Sequence, residues 1–284
     1  MGGQTADTIL LGNVLVLDRT GSTAEAIAIA GGRILGTGRR DAVMESRGPG
    51  TQVHDFGAST LIPGFNDTHA HSDSLGLKTL RPSLQGAKSI ADILDRIRKL
   101  VAERKPGEWI VTMPIGEPPY YWDADKSLVD GRLPNRHDLD SVAPDNPVYI
   151  SSPSGFWGEP PCFMILNSLA LKLNSIDRST RPRVNGVEIA HDGSGEPTGL
   201  IIERNYTRMA EPDLLPAVPR FSQDDRLEGL RRSLPMYHDK GTTSVYEGHG
   251  CAPDVVSSFR RLWEMGELTL RSSLVISPAW LGTA

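Results

Sequence analysis

Only two cysteines occur in the 284 residues, Cys162 and Cys251. They are too few and too far apart for a disulfide framework or a CxxC metal knuckle, so each is expected to be a small buried hydrophobe. No run of about 20 apolar residues is present, so no membrane-spanning helix is predicted. The first 30 residues lack the basic segment of a secretory leader, and their apolar stretch, residues 9–17, is broken by Gly12-Asn13. The expected location is the cytoplasm, where the Asn-x-Thr triplets at Asn66 and Asn205 carry no glycosylation meaning. A cationic footprint is missing as well. Thirty Lys and Arg face 35 Asp and Glu, for a formal charge of −5, which argues against nucleic acid or a membrane surface as partner. Basic pairs such as Arg39-Arg40 and Arg231-Arg232 read as solvated faces. There is no internal repeat and no low-complexity segment.

Glycine (29) and proline (21) are plentiful, and 38% of the residues are hydrophobic. That combination predicts many turns and long loops around a real core, in one large domain or two ordinary ones. Residues 6–57 read as short strands forming a small β-sheet module. Residues 26–30 and 33–35, joined by Gly31-Gly32, carry the signature of a two-residue hairpin. Gly12-Asn13 reads as a turn, and a strand over 51–56 is expected to stop at Gly57. Gly36-Thr37-Gly38 belongs to the hairpin and is no phosphate loop. Beyond residue 61, apolar runs alternate with helical periodicity. Helices are predicted over 89–105, capped by Ser89, over 222–240, with Pro235 kinking it and Gly241 stopping it, and over 254–265. Strands are predicted over 109–113, 148–151, 242–246 and 268–276. This alternation predicts a parallel sheet, as a β/α barrel or a doubly wound sheet. The stretch 114–147 is long enough to be a lid or pocket wall.

The sharpest chemical feature is Asp67-Thr68-His69-Ala70-His71 at the end of a predicted strand. Alternate side chains of a strand share a face, so His69 and His71 are expected to point the same way with Asp67 beside them. Two imidazoles at a strand's C-terminal end can chelate one Zn²⁺ or a similar ion. Glu247 and His249 follow the 242–246 strand, where Gly248 and Gly250 let the backbone bend; they either reach that site or form a polar loop. Tyr120, Tyr121 and Trp122, with Trp157 in the next loop, either wall an apolar pocket or pack their loop onto the core. Cys251 lacks an identifiable partner base.

Residues 61–71, Leu-Ile-Pro-Gly-Phe-Asn-Asp-Thr-His-Ala-His, resemble the first barrel strand of the metal-dependent amidohydrolase superfamily. Residues 25–34 resemble that superfamily's small β-sandwich. Residues 131–140, 144–148, 167–171 and 195–203 are similar to its YtcJ-like branch, the amidohydrolase 3 family. The resemblance covers about residues 6–246. It implies an α/β fold, a distorted (β/α)₈ TIM-type barrel over residues 61–284 behind a β-sandwich portion at 1–60. One or two divalent ions, most commonly zinc, would lie at the C-terminal ends of the barrel strands. His69 and His71 match the family's first two ligands. The implied activity is hydrolysis of a carbon–nitrogen, non-peptide, amide-type bond of a small molecule by metal-activated water. Asp67 is then a supporting residue, and Glu247 and His249 join it as catalytic candidates. Tyr121, Trp122, Phe156 and Glu203 are pocket candidates. Phe156 stands where the family often has a histidine, and Glu203 reads equally as a surface acid; His137, in the family's loop signature, reads as structural. In the family, further ligands are a carboxylated lysine or an acid, two more histidines and an aspartate.

The sequence departs from this pattern. No histidine follows His249, and the only acids beyond it are Asp254, Glu264 and Glu267. Five barrel strands are counted rather than eight. The barrel is therefore expected to be incomplete in this chain, as the N-terminal portion of a longer enzyme. The alternative is a non-catalytic fragment or pseudo-enzyme with a binding or assembly role; among enzymes, a heterocycle deaminase competes. An unfinished barrel leaves an open sheet edge, so homo-oligomers are expected.

Overall fold

The computed structural model describes residues 4–118, 121, 124, 126–153, 158–205 and 210–276, with His249 described by its backbone alone. The chain divides into two compact units, Met1–Phe65 and Asn66–Ala284.

In the first unit, alternating apolar residues make strands β1 (Ala6–Leu15), β2 (Thr23–Ala30) and β3 (Arg33–Gly38), followed by helix α1 (Arg40–Met44) and strand β4 (Arg47–Leu61). The sheet order is β3-β2-β1-β4. β1–β2 and β2–β3 are antiparallel and β1–β4 is parallel. The predicted hairpin is present: Ala30 faces Arg33, and Gly31 and Gly32 take φ of 55° and 72°, as a two-residue turn of this type demands. Gly12-Asn13 is not a turn. β1 runs through it with a register shift between Leu11 and Val14. A Cβ at Gly12 would stand 3.0 Å from the Ser59 carbonyl oxygen, so glycine there permits a close approach of β4. Nor does β4 stop at Gly57; it continues to Leu61. Ile9, Leu11, Ala26, Ala28 and Val43 form the unit's core. Among the described residues this unit holds one sheet, not the two facing sheets of a sandwich.

The second unit opens with β5 (Phe65–Asp67), α2 (Ser72–Leu77), α3 (Ile90–Ala102), β6 (Ile110–Thr112), α4 (Arg136–Asp140), β7 (Val148–Ile150) and β8 (Cys162–Leu166). Then come α5 (Ser168–Leu173), β9 (Val187–His191), β10 (Pro197–Glu203), α6 (Ala210–Leu214), α7 (Gln223–His238), β11 (Thr242–Cys251), α8 (Pro253–Glu264) and β12 (Arg271–Ile276). The predicted helix starts follow their caps. Ser89 and Asp92 form a capping box on α3, and Ser222 and Asp225 form one on α7. α7 contains Pro235, and Gly241 follows at φ 76°.

The sheets depart from expectation. The five strands predicted for one barrel divide between a five-stranded sheet, β6-β7-β8-β10-β9, and a three-stranded sheet, β12-β11-β5. In the larger sheet only β6–β7 is parallel; β7–β8, β8–β10 and β10–β9 are antiparallel. The cause lies in the connections. A parallel neighbour needs a crossover of a dozen or more residues, usually a helix. β8 follows β7 without a helix among the described residues and turns back along it, pairing Tyr149 with Leu166 and Ile150 with Ile165. β11 and β12 do flank a helix, α8, and they are parallel. No closed barrel is present among the described residues. The stretch 114–147 is not an idle lid either. Ile115, Ala124, Leu128, Leu133, Leu139 and Ala143 are buried in one cluster with Ile93 and Ile97 of α3. No helix among the described residues is long and apolar enough to cross a membrane.

One close crossing positions the segment that follows the HxH pair. α2 meets α7 at Gly76, where a Cβ would lie 1.6 Å from the Gly229 carbonyl oxygen. In the reverse direction, a Cβ at Gly229 would lie 3.0 Å from the Leu77 side chain and its backbone nitrogen. Gly76→Ala must therefore push the two backbones apart. Overpacking ordinarily costs about 1–3 kcal/mol, and urea denaturation is expected to show a loss at or above the top of that range for Gly76→Ala. Gly229→Ala, which meets partly movable side-chain atoms, is expected to lose less. Wild-type stability in Gly76→Ala contradicts this crossing.

Candidate functional site

The HxH pair is built by a turn. β5 ends at Asp67, whose Oδ1 accepts the His69 backbone N–H at 3.0 Å. Such side-chain-to-backbone bonds two residues on are how aspartate closes a turn. The Ala70 N–H then donates to the Tyr246 carbonyl of β11 at 2.8 Å, and His71 stands at the N-cap position of α2 without a side-chain capping bond. His69 and His71 thus lie beyond the strand, so strand alternation is not what aligns them. The turn brings their ring centroids to 5.2 Å with the planes at 76°.

β11 supplies the floor. Glu247 was expected to follow the strand; instead it lies within it, 4% exposed. Its Oε1 accepts the Ser72 backbone N–H at 3.0 Å and the Ser72 hydroxyl as well. The β11 ladder continues to Cys251 with a register shift after Glu247, and Gly250 takes φ of 86°. His249 therefore also lies in β11 rather than in a loop, with its side chain outside the described residues. A Cβ at Gly248 would stand 3.3 Å from His69 Nδ1, so the imidazole packs closely over the backbone of that glycine.

Acidic groups dominate the surroundings. Burial pushes the Glu247 carboxyl above its ordinary value, and the Asp73 and Asp67 charges add to this, while the two bonds from Ser72 oppose it. Burial likewise raises Asp73. Arg226 opposes that rise from 3.8 Å, and its Nε is paired with Asp254 of α8. The Tyr237 hydroxyl is pushed up to about 12, chiefly by burial and then by Glu247 and Asp67. The Cys251 thiol is pushed up to about 11, again chiefly by burial and then by Glu247. Crowded carboxylates that raise one another's proton affinity form a field that a cation relieves.

Of the residues singled out from the sequence, Asp67, His69, His71 and Glu247 come together here. Glu203 does not. It ends β10 in the other sheet, fully buried and in register with Cys162 and Val187, so it is no surface acid. Tyr121 is buried in a small cluster with Met113 and Phe221, which is the packing alternative for that aromatic. Trp122 and Phe156, with Tyr120 and Trp157, lie outside the described residues. Sequence reasoning missed Ser72, Asp73, Arg226 and Tyr237. Ser72-Asp73 directly after His71 is a helix-start signal that was there to be used; Arg226 and Tyr237 become neighbours only through the α2–α7 crossing.

Two imidazoles sharing a tetrahedral ion at metal–nitrogen distances of about 2.0–2.1 Å place their ring centres about 5 Å apart. The observed 5.2 Å fits such a pair. No group of three or more His, Cys, Asp or Glu converges to hold a metal among the described residues. The donor pair thus fits a divalent ion, and the rest of a ligand set is not assembled by these residues.

Residues 52–279 match the sequence model of the Amidohydro_3 amidohydrolase family. The chain belongs to that family. N-substituted formamide deformylase of Arthrobacter pascens is 31% identical over 202 residues, 69% of this chain and 34% of that protein. YtcJ of Bacillus subtilis is 30% identical over 233 residues, 82% of this chain and 40% of that protein. The fold is similar to the crystal structure of an uncharacterized metal-dependent hydrolase from Pyrococcus horikoshii, with a TM-score of 0.65 and 21% identity over 97% of this chain and 50% of that one. This amidohydrolase-family chain thus spans half or less of the length of these relatives.

The raised groups around the site fix a pH dependence. Cys251 and Tyr237 have folded-state values above their ordinary 9.0 and 10.0. The stability they contribute is fully present below those ordinary values and is lost as pH climbs through 9–11 for Cys251 and 10–12 for Tyr237. Urea melts are expected to be level between pH 8 and pH 9 and to fall from pH 9 to pH 12. Cys251→Ala should reduce the slope over pH 9–11 and Tyr237→Phe over pH 10–12. Unchanged slopes in both variants contradict this assignment.

Proposed function

We propose that this protein is a metal-dependent hydrolase that cleaves a carbon–nitrogen, non-peptide, amide-type bond of a small molecule. The observation that carries the reading is the imidazole pair at 5.2 Å, in a chain of the amidohydrolase family. His69 and His71 would hold the ion, and zinc suits an imidazole pair of this spacing. When bound, such an ion polarises a carbonyl oxygen and lowers the pKa of water. The deformylase of Arthrobacter pascens, an enzyme of N-substituted formamides by name, supports the amide class.

The chain's own residues then divide the remaining work. Gly248 and Asp67 orient the His69 segment, one by leaving room for the ring and the other by fixing the turn. Glu247, held by Ser72 at its Oε1 and raised in proton affinity by burial, is the candidate for holding or moving a proton. His249, two residues along β11, is the other candidate for proton transfer. The parallel pair β11–β12 with α8 between them is one β/α unit of a (β/α)₈ barrel, and the first unit's sheet belongs to the β-sandwich module. A second reading, a binding or assembly role without catalysis, is favoured by the lack of a third converging ligand among the described residues.

The test is metal analysis together with hydrolysis of N-formyl amides. The wild-type protein is expected to retain a divalent metal through desalting and to release amine from the substrate. His69→Ala/His71→Ala should lose the metal and lower turnover by at least about 100-fold, beyond the 10–100-fold typical of outer-shell changes. Unchanged metal content and hydrolysis in that variant overturn the reading; retained metal without hydrolysis in the wild type favours the second one.

A further inference from the structure

Apart from the imidazole pair, a second polar cluster sits at the C-terminal ends of the parallel strands β6 and β7. Ser151, just past β7, is buried and donates its N–H to the Thr112 carbonyl of β6 at 3.2 Å. Its hydroxyl accepts a hydrogen bond from Arg81 Nη1 at 3.1 Å. Arg81 Nη2 donates to the Pro219 carbonyl at 3.0 Å, and the guanidinium carbon lies 4.0 Å over the centre of the Phe221 ring. All three partners are neutral.

The nearby acid is already committed. Glu211 accepts the hydroxyl of the fully buried Tyr149 on one oxygen and pairs with Arg220 on the other. Asp225, farther off, serves the α7 capping box. The charges of two carboxylates, Glu211 and Asp225, and of Arg220 thus reach Arg81, but both acids are bonded elsewhere. Among the described residues, no carboxylate is ion-paired with Arg81. The group is half-buried, and burial pulls its pKa below the ordinary arginine value. A partly desolvated guanidinium that none of the described carboxylates bonds directly keeps N–H donors for a ligand anion.

We propose that Arg81, with the Ser151 hydroxyl, is an anion-recognition site that takes the carboxylate group of a small-molecule ligand. The guanidinium has five N–H donors in a rigid planar fork, of which the described residues use two. The Phe221 stack fixes the plane of that fork. Ser151 Oγ accepts from Arg81, which leaves its own proton to donate to a ligand oxygen. The site's position is that of ligand sites in α/β folds generally, outside the carboxyl ends of parallel strands. The inference stands apart from the hydrolase reading, because it requires binding alone.

The experiment is a titration of the purified protein with sodium benzoate and, separately, with benzamide, a neutral molecule of the same shape. It is followed by saturation-transfer NMR at constant ionic strength. Wild-type protein is expected to bind benzoate at least about tenfold more tightly than benzamide. Arg81→Gln should abolish the preference. Arg81→Lys, which keeps the charge and loses the fork, should lose most of it. His69→Ala/His71→Ala should keep it. Equal binding of the two probes to the wild type overturns the proposal. So does a preference that survives in Arg81→Gln or Arg81→Lys, or one that disappears in the His69→Ala/His71→Ala variant and thereby assigns the anion to the imidazole pair.

Discussion

The pair of hydrogen bonds between Glu247 and Ser72 ties together residues 175 positions apart, and the candidate site depends on it. Ser72 is the first residue of α2 and directly follows His71, so whatever fixes Ser72 also fixes where the second imidazole stands. Hydrogen bonds to a carboxylate group are worth about 1.5–3 kcal/mol each, and leaving such a group buried without them costs at least as much. Glu247 is nearly inaccessible, so its acceptance of the Ser72 donors is also what allows it to be there. The same contact serves packing and chemistry at once.

Two further constraints act on the same short segment. The backbone-to-backbone approach of Gly76 and Gly229 holds the far end of α2 against α7. Arg226 of α7 reaches Asp73 in the first turn of α2 and Asp254 at the start of α8. The loop bearing His69 and His71 is thus held by β11 below, by α7 alongside, and by its own Asp67 turn. Pre-organisation of this kind keeps donor groups in place when a ligand or ion arrives. Acidic side chains around it give the site a field that favours a cation. Arg81, Arg220 and Glu211 form a separate polar cluster at the ends of β6 and β7.

How much of this could be read from the sequence differs by kind of signal. Local signals carried over well: Gly31-Gly32 made its hairpin, and Ser89 and Ser222 began their helices. The residue blocks that resemble the amidohydrolase 3 family led to the family itself. Failures came where a residue's role is set by a distant partner. Gly12 looked like a turn because glycine usually marks one, but its purpose is to let β4 come close. The fragments Cys162–Leu166, Val187–His191 and Pro197–Glu203 went unread as strands, and their antiparallel pairing breaks the parallel pattern that alternation predicted. His69 and His71 were correctly singled out as neighbours, though for the wrong reason: a turn, not a pleat, brings them together. Glu247 could be found as an acid near the strand's end; its bond to Ser72 could not, since nothing local records a contact across 175 residues.

The central claim is that His69 and His71 form one shared donor pair for a divalent ion. X-ray absorption at the zinc edge of the zinc-loaded protein tests it most directly. Nitrogen ligands are expected at about 2.0–2.1 Å with outer-shell scattering from two imidazoles, and that imidazole signal is expected to be lost in the His69→Ala/His71→Ala protein. A zinc spectrum without imidazole scattering, or one identical in the variant, contradicts it.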